Sequence, residues 1–473
     1  MRDYLKFYID GQWVDPITPK SAEVINPATE QVSGHISLGS AADVDKAVAA
    51  ARRAFAAWSI TGVKQRIDLL ETILAEYLRR EREIGEAVTE EMGAPLSLGC
   101  GFQSMLGKGH ISAALEVLKT FKFEEAHGIT MIRKEPIGVV GMITPWNWPM
   151  NQTCVKIAPA LATGCTMVLK PPQLAPYSAQ ILAEILHDSG VPAGVFNMIQ
   201  GQGSVIGTHL SKHEDIDMIS FTGSEPVGVQ IQKDAADTVK RVALELGGKS
   251  AWIILDDAAM AANVANATAG MMGNSGQTCS AGSRLLVPAA RMDEAIAAAS
   301  EAANGVTVGD PTGNFAMGPV VSKAQYNIIQ GYIEKGIDEG ATLIAGGPGR
   351  PDGIDKGSFV RPTVFVGTNQ MVIAREEIFG PVLVMIGYDD LGDAVAIAND
   401  STFGLGGYVS GNDLAVAREL SRKMRTGAVW INGGFDMMAP FGGYKRSGNG
   451  REWGEHGFAE YLEIKAVVGW NAA

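Results

Sequence analysis

The feature that most constrains this chain is a regular exchange of strand-like and helix-like segments between residues 137 and 246. Five short apolar runs, Ile137–Thr144, Cys165–Lys170, Val195–Ile199, Met218–Phe221 and Val242–Leu246, are separated by stretches with helical periodicity. Strands joined through helices run parallel, and a parallel sheet needs helices on both faces. The expected fold class is therefore α/β with a doubly wound parallel sheet. Ligands in such sheets sit beyond the carboxyl ends of the strands. That directs attention to Ile143-Thr144-Pro145-Trp146-Asn147-Trp148, Lys170-Pro171-Pro172-Gln173, Gly201-Gln202-Gly203 with Gly207, Phe221-Thr222-Gly223-Ser224, and Glu245-Leu246-Gly247. The glycine spacing is GxGxxxG, a weak dinucleotide signal that gains weight from its place in the sheet.

At 473 residues the chain exceeds one ordinary core. A second alternating region has strands at Trp252–Leu255, Arg284–Val287, Val382–Tyr388, Gly407–Val409 and Ala428–Ile431, with helices such as Ser322–Glu339 and Asn412–Arg425 between them. Before the first sheet lie short β pieces (Phe7–Ile9, Glu23–Ile25). A helix capped by Ser40 with Asp43 in its first turn follows, then helices over Lys64–Glu91 and Gly101–Leu118. Thr120–Pro136 reads as a hairpin turning at His127-Gly128, and the chain closes on a strand over Ile464–Trp470. Both suit subunit pairing. The expected domains are 1–118 with 137–247, a Rossmann-like cofactor-binding unit, 248–448, catalytic, and 119–136 with 462–473, an oligomerisation element.

Composition narrows the partners. Lys+Arg 39 against Asp+Glu 52 gives a net charge of −13, which repels phosphate backbones and argues against nucleic acid. The four cysteines show no zinc spacing, and so few in this length fit a reducing compartment. The charged start, Met1 to Lys6, has no apolar signal region, and Ala258–Met272 reads as a packed helix rather than a membrane span. A cytoplasmic protein without membrane contact is expected. His209 and His213 stand at HxxxH spacing but lack the Glu of a zinc protease, so no metal is expected.

One thiol stands apart. Gly276-Gln277-Thr278-Cys279-Ser280 presents a cysteine on a small, polar turn between apolar segments, where a nucleophile belongs better than a core thiol. Glu245 lies 34 residues ahead of it, and no histidine flanks it.

With these residues stand Thr144-Pro145-Trp146-Asn147-Trp148-Pro149, Phe221-Thr222-Gly223-Ser224, Leu244-Glu245-Leu246-Gly247-Gly248-Lys249, Gly276-Gln277-Thr278-Cys279, Glu377-Ile378-Phe379-Gly380-Pro381 and Pro440-Phe441-Gly442-Gly443, in order. Together they resemble the NAD(P)-dependent aldehyde dehydrogenase superfamily over essentially the whole chain, in its hydrolytic rather than CoA-acylating branch. The resemblance implies two doubly wound domains plus a small β oligomerisation element, assembled as a homodimer or homotetramer. It implies Cys279 as nucleophile, Glu245 as the base for deacylation, Asn147 as oxyanion donor and Lys170 as helper. The implied cofactor residues are Ile143, Thr144, Pro145, Trp146, Lys170, Gln173, Gly203, Gly207, Phe221, Thr222, Gly223, Ser224, Leu246, Gly247, Glu377 and Phe379. Substrate would meet Trp148, Asn151, Gln152, Ser280 and Phe435.

The chemistry stands apart from the family. A thiolate adding to an aldehyde carbon makes a thiohemiacetal whose oxygen gains charge; donors must meet it, hydride must leave, and water must open the thioester. One departure concerns the cofactor. Family members commonly carry Lys-Pro-Ser-Glu, whose acid repels a 2′-phosphate, whereas this chain has Lys170-Pro171-Pro172-Gln173. NAD is expected, with NADP left open. Met437 and Met438 suggest an adaptable, partly apolar passage, and no arginine among the tunnel positions awaits a distal carboxylate. That points to a medium-sized neutral or aromatic aldehyde. A CoA-acylating enzyme is the alternative, disfavoured by Glu245. A non-catalytic protein keeping the fold is another, disfavoured because Cys279 and Asn147 are both present.

Overall fold

The computed structural model describes residues 1–471, so the last two residues of the expected 462–473 element lie outside the described residues. In an eight-stranded sheet the strands Arg241–Glu245, Met218–Thr222, Val139–Ile143, Thr166–Lys170 and Phe196–Met198 lie side by side in that order, all parallel. The chain enters at the middle strand, builds outward through Thr166–Lys170 and Phe196–Met198, then crosses back to Met218–Thr222. This reversal makes a crevice beside the end of Val139–Ile143, the place where an open α/β sheet takes a ligand. Phe7–Ile9 and Gln12–Val14 extend one edge antiparallel, and Gly448–Asn449 pairs antiparallel on the other.

Alternate residues of these strands enter different cores. Val140, Met142, Met167 and Leu169 pack with helices Val63–Met92, Ser104–Thr120, Pro149–Thr163 and Tyr177–Asp188. Val139, Ile143 and Val168 face Val44, Ala47, Val48 and Ala51 of helix Ala41–Trp58. Burial on both faces explains why the strands read as nearly continuous apolar runs. Ser40 starts that helix as expected, with the Asp43 carboxylate accepting from its backbone N–H at 2.8 Å.

The second sheet has seven strands in the order Thr342–Ala345, Thr363–Val366, Val382–Tyr388, Arg284–Pro288, Ala251–Ile254, Gly406–Ser410, Ala428–Ile431, parallel except for the first. The fold class is thus the expected mixed α/β with two wound sheets. Thr342–Ala345 and Thr363–Val366 were not expected as strands; they flank a glycine-rich segment, 346–357, that reads from sequence as a surface loop, and are too short for a clear period. A third sheet joins the hairpin Glu124–His127 and Thr130–Pro136 to Leu462–Val468, in register from Leu462 opposite Pro136 to Val468 opposite Thr130. No helix among the described residues is long and apolar enough to cross a membrane.

Candidate active site

Cys279 stands on a loop held in an unusual shape. Asn274, Ser275 and Gly276 have φ of 51°, 55° and 69°, three successive residues in the left-handed region, which costs a non-glycine residue roughly 1–3 kcal/mol. Each is pinned. Asn274 Nδ2 donates to Asn147 O at 2.9 Å, and Ser275 Oγ donates to Gly318 O at 2.9 Å. A Cβ on Gly276 would fall 2.2 Å from Gly380 O, so only glycine lets the Glu377–Pro381 segment approach this closely. Gln277 completes the brace, accepting from Val321 N and donating to Asn274 O.

Asn147 follows the strand Val139–Ile143 and is 2% exposed. Its Nδ2 donates to Gln277 O at 3.0 Å, which leaves its second N–H for a ligand beside Cys279. Gln103 steadies the same corner, donating to Asn147 O at 3.1 Å. It sits on a π-helical turn, Gly99–Gln103, where a helix was expected to run on from Gly101; the turn breaks at Gly101 and re-aims Phe102 and Gln103. Neither residue was singled out from sequence, and the flanking glycines were the available signal.

Two cavities meet at the thiol. The first, about 240 Å³, is lined by Pro145, Trp146, Asn147, Thr222, Gly223, Ser224, Leu246, Gly247, Gln325, Glu377 and Phe379, and lies at the crevice of the first sheet. The second, about 250 Å³, is lined by Trp148, Asn151, Gln152, Ser280 and Phe435, with Phe102, Trp252, Tyr408, Trp430, Phe441 and Trp453, which sequence reading missed. Cys279 and Gln152 line both. The other expected cofactor residues, Ile143, Thr144, Lys170, Gln173, Gly203, Gly207 and Phe221, do not line the first cavity. Ile143 and Lys170 are register partners at adjacent strand ends, Phe221 packs under Gly223, and Gly203 and Gly207 bound a short π-helical turn. Gln173 is half-buried after Lys170. Lys170 is 6% exposed, its Nζ donates to Pro171 O at 2.9 Å, and burial pulls it down to about 8.

The methionines correct an expectation. Met437 folds onto Gly109 and Met438 is 46% exposed; neither lines the second cavity, whose wall is aromatic.

The electrostatics are acidic. Burial, then Glu377 and Glu245, pushes the Cys279 thiol up to about 12, so the ligand-free thiol is neutral and its proton needs an acceptor. Glu245 ends the strand Arg241–Glu245, 4% exposed, with Oε2 free of any hydrogen-bond partner among the described residues. Burial first, then the neighbouring Glu452, holds it well above the usual carboxylate range. Glu452, which also lines the second cavity, pairs with Lys156 Nζ, and Lys156 donates in turn to Ser220 Oγ at 3.1 Å. This carboxyl–carboxylate–ammonium row was not foreseen. Glu377 accepts from Gly248 N at 3.0 Å and is pushed by burial up to about 7. His209 and His213 do meet, with Asp45, whose Oδ1 lies 2.6 Å from His209 Nε2 and 3.4 Å from His213 Nε2, a grouping that could hold a metal ion, and His213 Nδ1 accepts from Asp215 N.

A neutral cysteine between a polar crevice and an aromatic cavity, with a buried carboxyl at hand, is a site for covalent chemistry on a carbonyl. The model of the aldehyde dehydrogenase family matches residues 13–467. The chain belongs to the aldehyde dehydrogenase family. It is 53% identical to a 3-succinoylsemialdehyde-pyridine dehydrogenase of Pseudomonas sp over all of both chains, and 48% identical to a putative aldehyde dehydrogenase of Staphylococcus aureus over 99% of this chain and 100% of that one. Among solved structures it is similar to aldehyde dehydrogenase C of Pseudomonas syringae, a cysteine-to-alanine mutant complexed with NAD+ and octanal. That match has TM-score 0.98 and 49% identity, and covers 99% of this chain and 97% of the other. A Mycobacterium tuberculosis aldehyde dehydrogenase complexed with NAD+ matches at TM-score 0.95 and 40% identity, over 98% of each chain. In this aldehyde dehydrogenase the family's motif segments all converge on Cys279 or on the crevice beside it.

Proposed function

We propose that this aldehyde dehydrogenase oxidises an uncharged, medium-sized aldehyde to its carboxylic acid, with NAD as hydride acceptor and a thioester on Cys279 as intermediate. The observation that carries this reading is the position of Cys279 on the wall common to the two cavities. The crevice suits the cofactor by its donor set: Thr222 Oγ1 on its wall and Thr144 Oγ1 after the neighbouring strand are buried without a partner among the described residues, and Lys170 Nζ donates there to Pro171 O alone. The structures of relatives carrying NAD+ support the same choice. When bound, the nicotinamide supplies the hydride acceptor.

The remaining steps belong to this chain's residues. The Cys279 thiol loses its proton to water as its sulfur bonds to the aldehyde carbon. The oxygen takes the electron pair and accepts hydrogen bonds from Asn147 Nδ2 and the Cys279 N–H. Re-forming the C=O bond expels hydride and leaves the thioester. Glu245 then removes a proton from water as it attacks, and the C–S bond breaks to release the acid. Lys156 and Glu452 hold the charge state of Glu245 from behind.

Gln173 in place of an acid leaves no charge to exclude a 2′-phosphate, so NADP is accepted more weakly than NAD. The protein works in the cytoplasm as a homodimer or homotetramer joined through the hairpin and the last strand. Octanal bound in one relative and a pyridine-bearing aldehyde named for another agree with an uncharged substrate. The test is reduction of NAD and NADP with a panel of neutral aldehydes, with and without CoA. Turnover without CoA, lost in Cys279→Ser with NAD binding retained, is expected. Turnover only with CoA would overturn the role of Glu245, and none in the wild type would revive a non-catalytic protein.

A further inference from the structure

Three aromatic residues on neighbouring strands of the second sheet share one register: Trp252 lies opposite Tyr408, and Tyr408 opposite Trp430. Their rings stack in a ladder, at 4.6 Å and 21° for the first pair and 4.8 Å and 18° for the second. All three line the substrate cavity. Facing rings make edge contacts instead, Phe102 with Trp148 at 5.8 Å and with Phe435 at 5.3 Å, and Phe435 with Trp453 at 5.5 Å.

The polar tips of three of the cavity's rings are already spent. Trp252 Nε1 donates to Ser410 Oγ at 2.8 Å, Tyr408 Oη to Ser280 O at 2.8 Å, and Trp148 Nε1 to Thr278 Oγ1 at 3.0 Å. Those bonds fix the three rings and leave their carbon and π surface toward the cavity. No Lys or Arg among the described residues lines it, and its carboxylate, Glu452, is held by Lys156. A carboxylate on the substrate would lose its water here, find no cation to pair with, and meet a like charge. A flat ring loses nothing, and gains contact along rigid aromatic walls.

Resting on the reading above that Cys279 oxidises aldehydes, we infer that the Trp252–Tyr408–Trp430 ladder is the specificity-determining wall, and that it selects aldehydes bearing an uncharged, planar aromatic group. Tyr408 is the central rung, and its hydroxyl ties the ladder to Ser280, next to the nucleophile.

The test compares kcat/KM for benzaldehyde, cyclohexanecarbaldehyde, succinic semialdehyde and propanal without CoA. Wild type prefers benzaldehyde over the saturated ring by about tenfold, from the extra stabilisation of aromatic pairs, and turns over succinic semialdehyde least. Tyr408→Leu brings the ring ratio close to one, and Tyr408→Phe, which keeps the stack, restores it. Trp252→Leu reads the same wall should Tyr408→Leu not fold. An equal ratio in the wild type, a ratio unmoved by both leucine variants, or a preference for the semialdehyde would overturn the assignment while propanal turnover upheld the dehydrogenase reading. Failure with propanal as well would overturn that reading, and this inference with it.

Discussion

At the scale of single residues, burial decides protonation. Glu245 is buried, unpaired at Oε2 among the described residues, and raised first by burial and then by Glu452, so it holds its proton to higher pH than a solvated glutamate. A general base for deacylation works only when deprotonated, so kcat should climb as pH rises through this raised pKa. Glu245→Gln should flatten that limb and cut steady-state turnover by about 10²–10⁴. A limb that survives the substitution belongs to another group. Lys249 gives a stability counterpart. Its Nζ is 2% exposed at residue level, has no partner among the described residues, and is pulled by burial and then Arg284 from 10.5 to about 7. Between those two values the unfolded chain binds the extra proton, so stability rises with pH across that window. Lys249→Met should remove the rise and raise Tm at pH 7; melting curves against pH check both. Cys279 and Glu245 were legible in sequence because their neighbours, Gly-Gln-Thr and Leu-Gly-Gly, are local patterns. Their pKa values were not, since these come first from burial and then from Glu377, Glu452 and Lys156, brought close only by folding.

At the scale of elements, the helix Pro149–Thr163 is buried along its whole length, charged residue included. Lys156 ties it to Ser220 on the neighbouring strand and to Glu452 near the far end of the chain. Lys156→Met would leave Glu452 buried without its cation, which should cost about 3–5 kcal/mol in denaturant melts. A loss below about 1 kcal/mol would mean that Glu452 is protonated or reached by water. The strands around the crevice could be read from sequence because burial on both faces makes apolar runs. The aromatic ladder could not. Trp252 and Tyr408 are far apart in the chain, and only the register of Ala251–Ile254 against Gly406–Ser410 makes them neighbours. For the same reason Met437 and Met438, adjacent to the expected tunnel in sequence, turned out to lie outside it.

At the scale of the molecule, both wound sheets send their loops to one place, and the last strand returns to pair with the hairpin at Thr130–Pro136. That strand exposes Ile464 (73%), Val468 (72%) and, just past it, Trp470 (52%), an apolar row on a sheet edge that monomers avoid. Deleting residues 462–473 should leave a monomer, and Ile464→Asp with Val468→Asp should do so with less damage to the fold; sedimentation would show an intact oligomer if the subunits meet elsewhere. The central claim is that acyl groups pass through Cys279 and leave by water that Glu245 activates. It is tested most directly by the mass of Glu245→Gln quenched just after one equivalent of NADH has formed from a neutral aldehyde and NAD. One acyl group per chain, on the peptide that carries Cys279, is the expected result. NADH formed with that peptide unmodified would contradict the account.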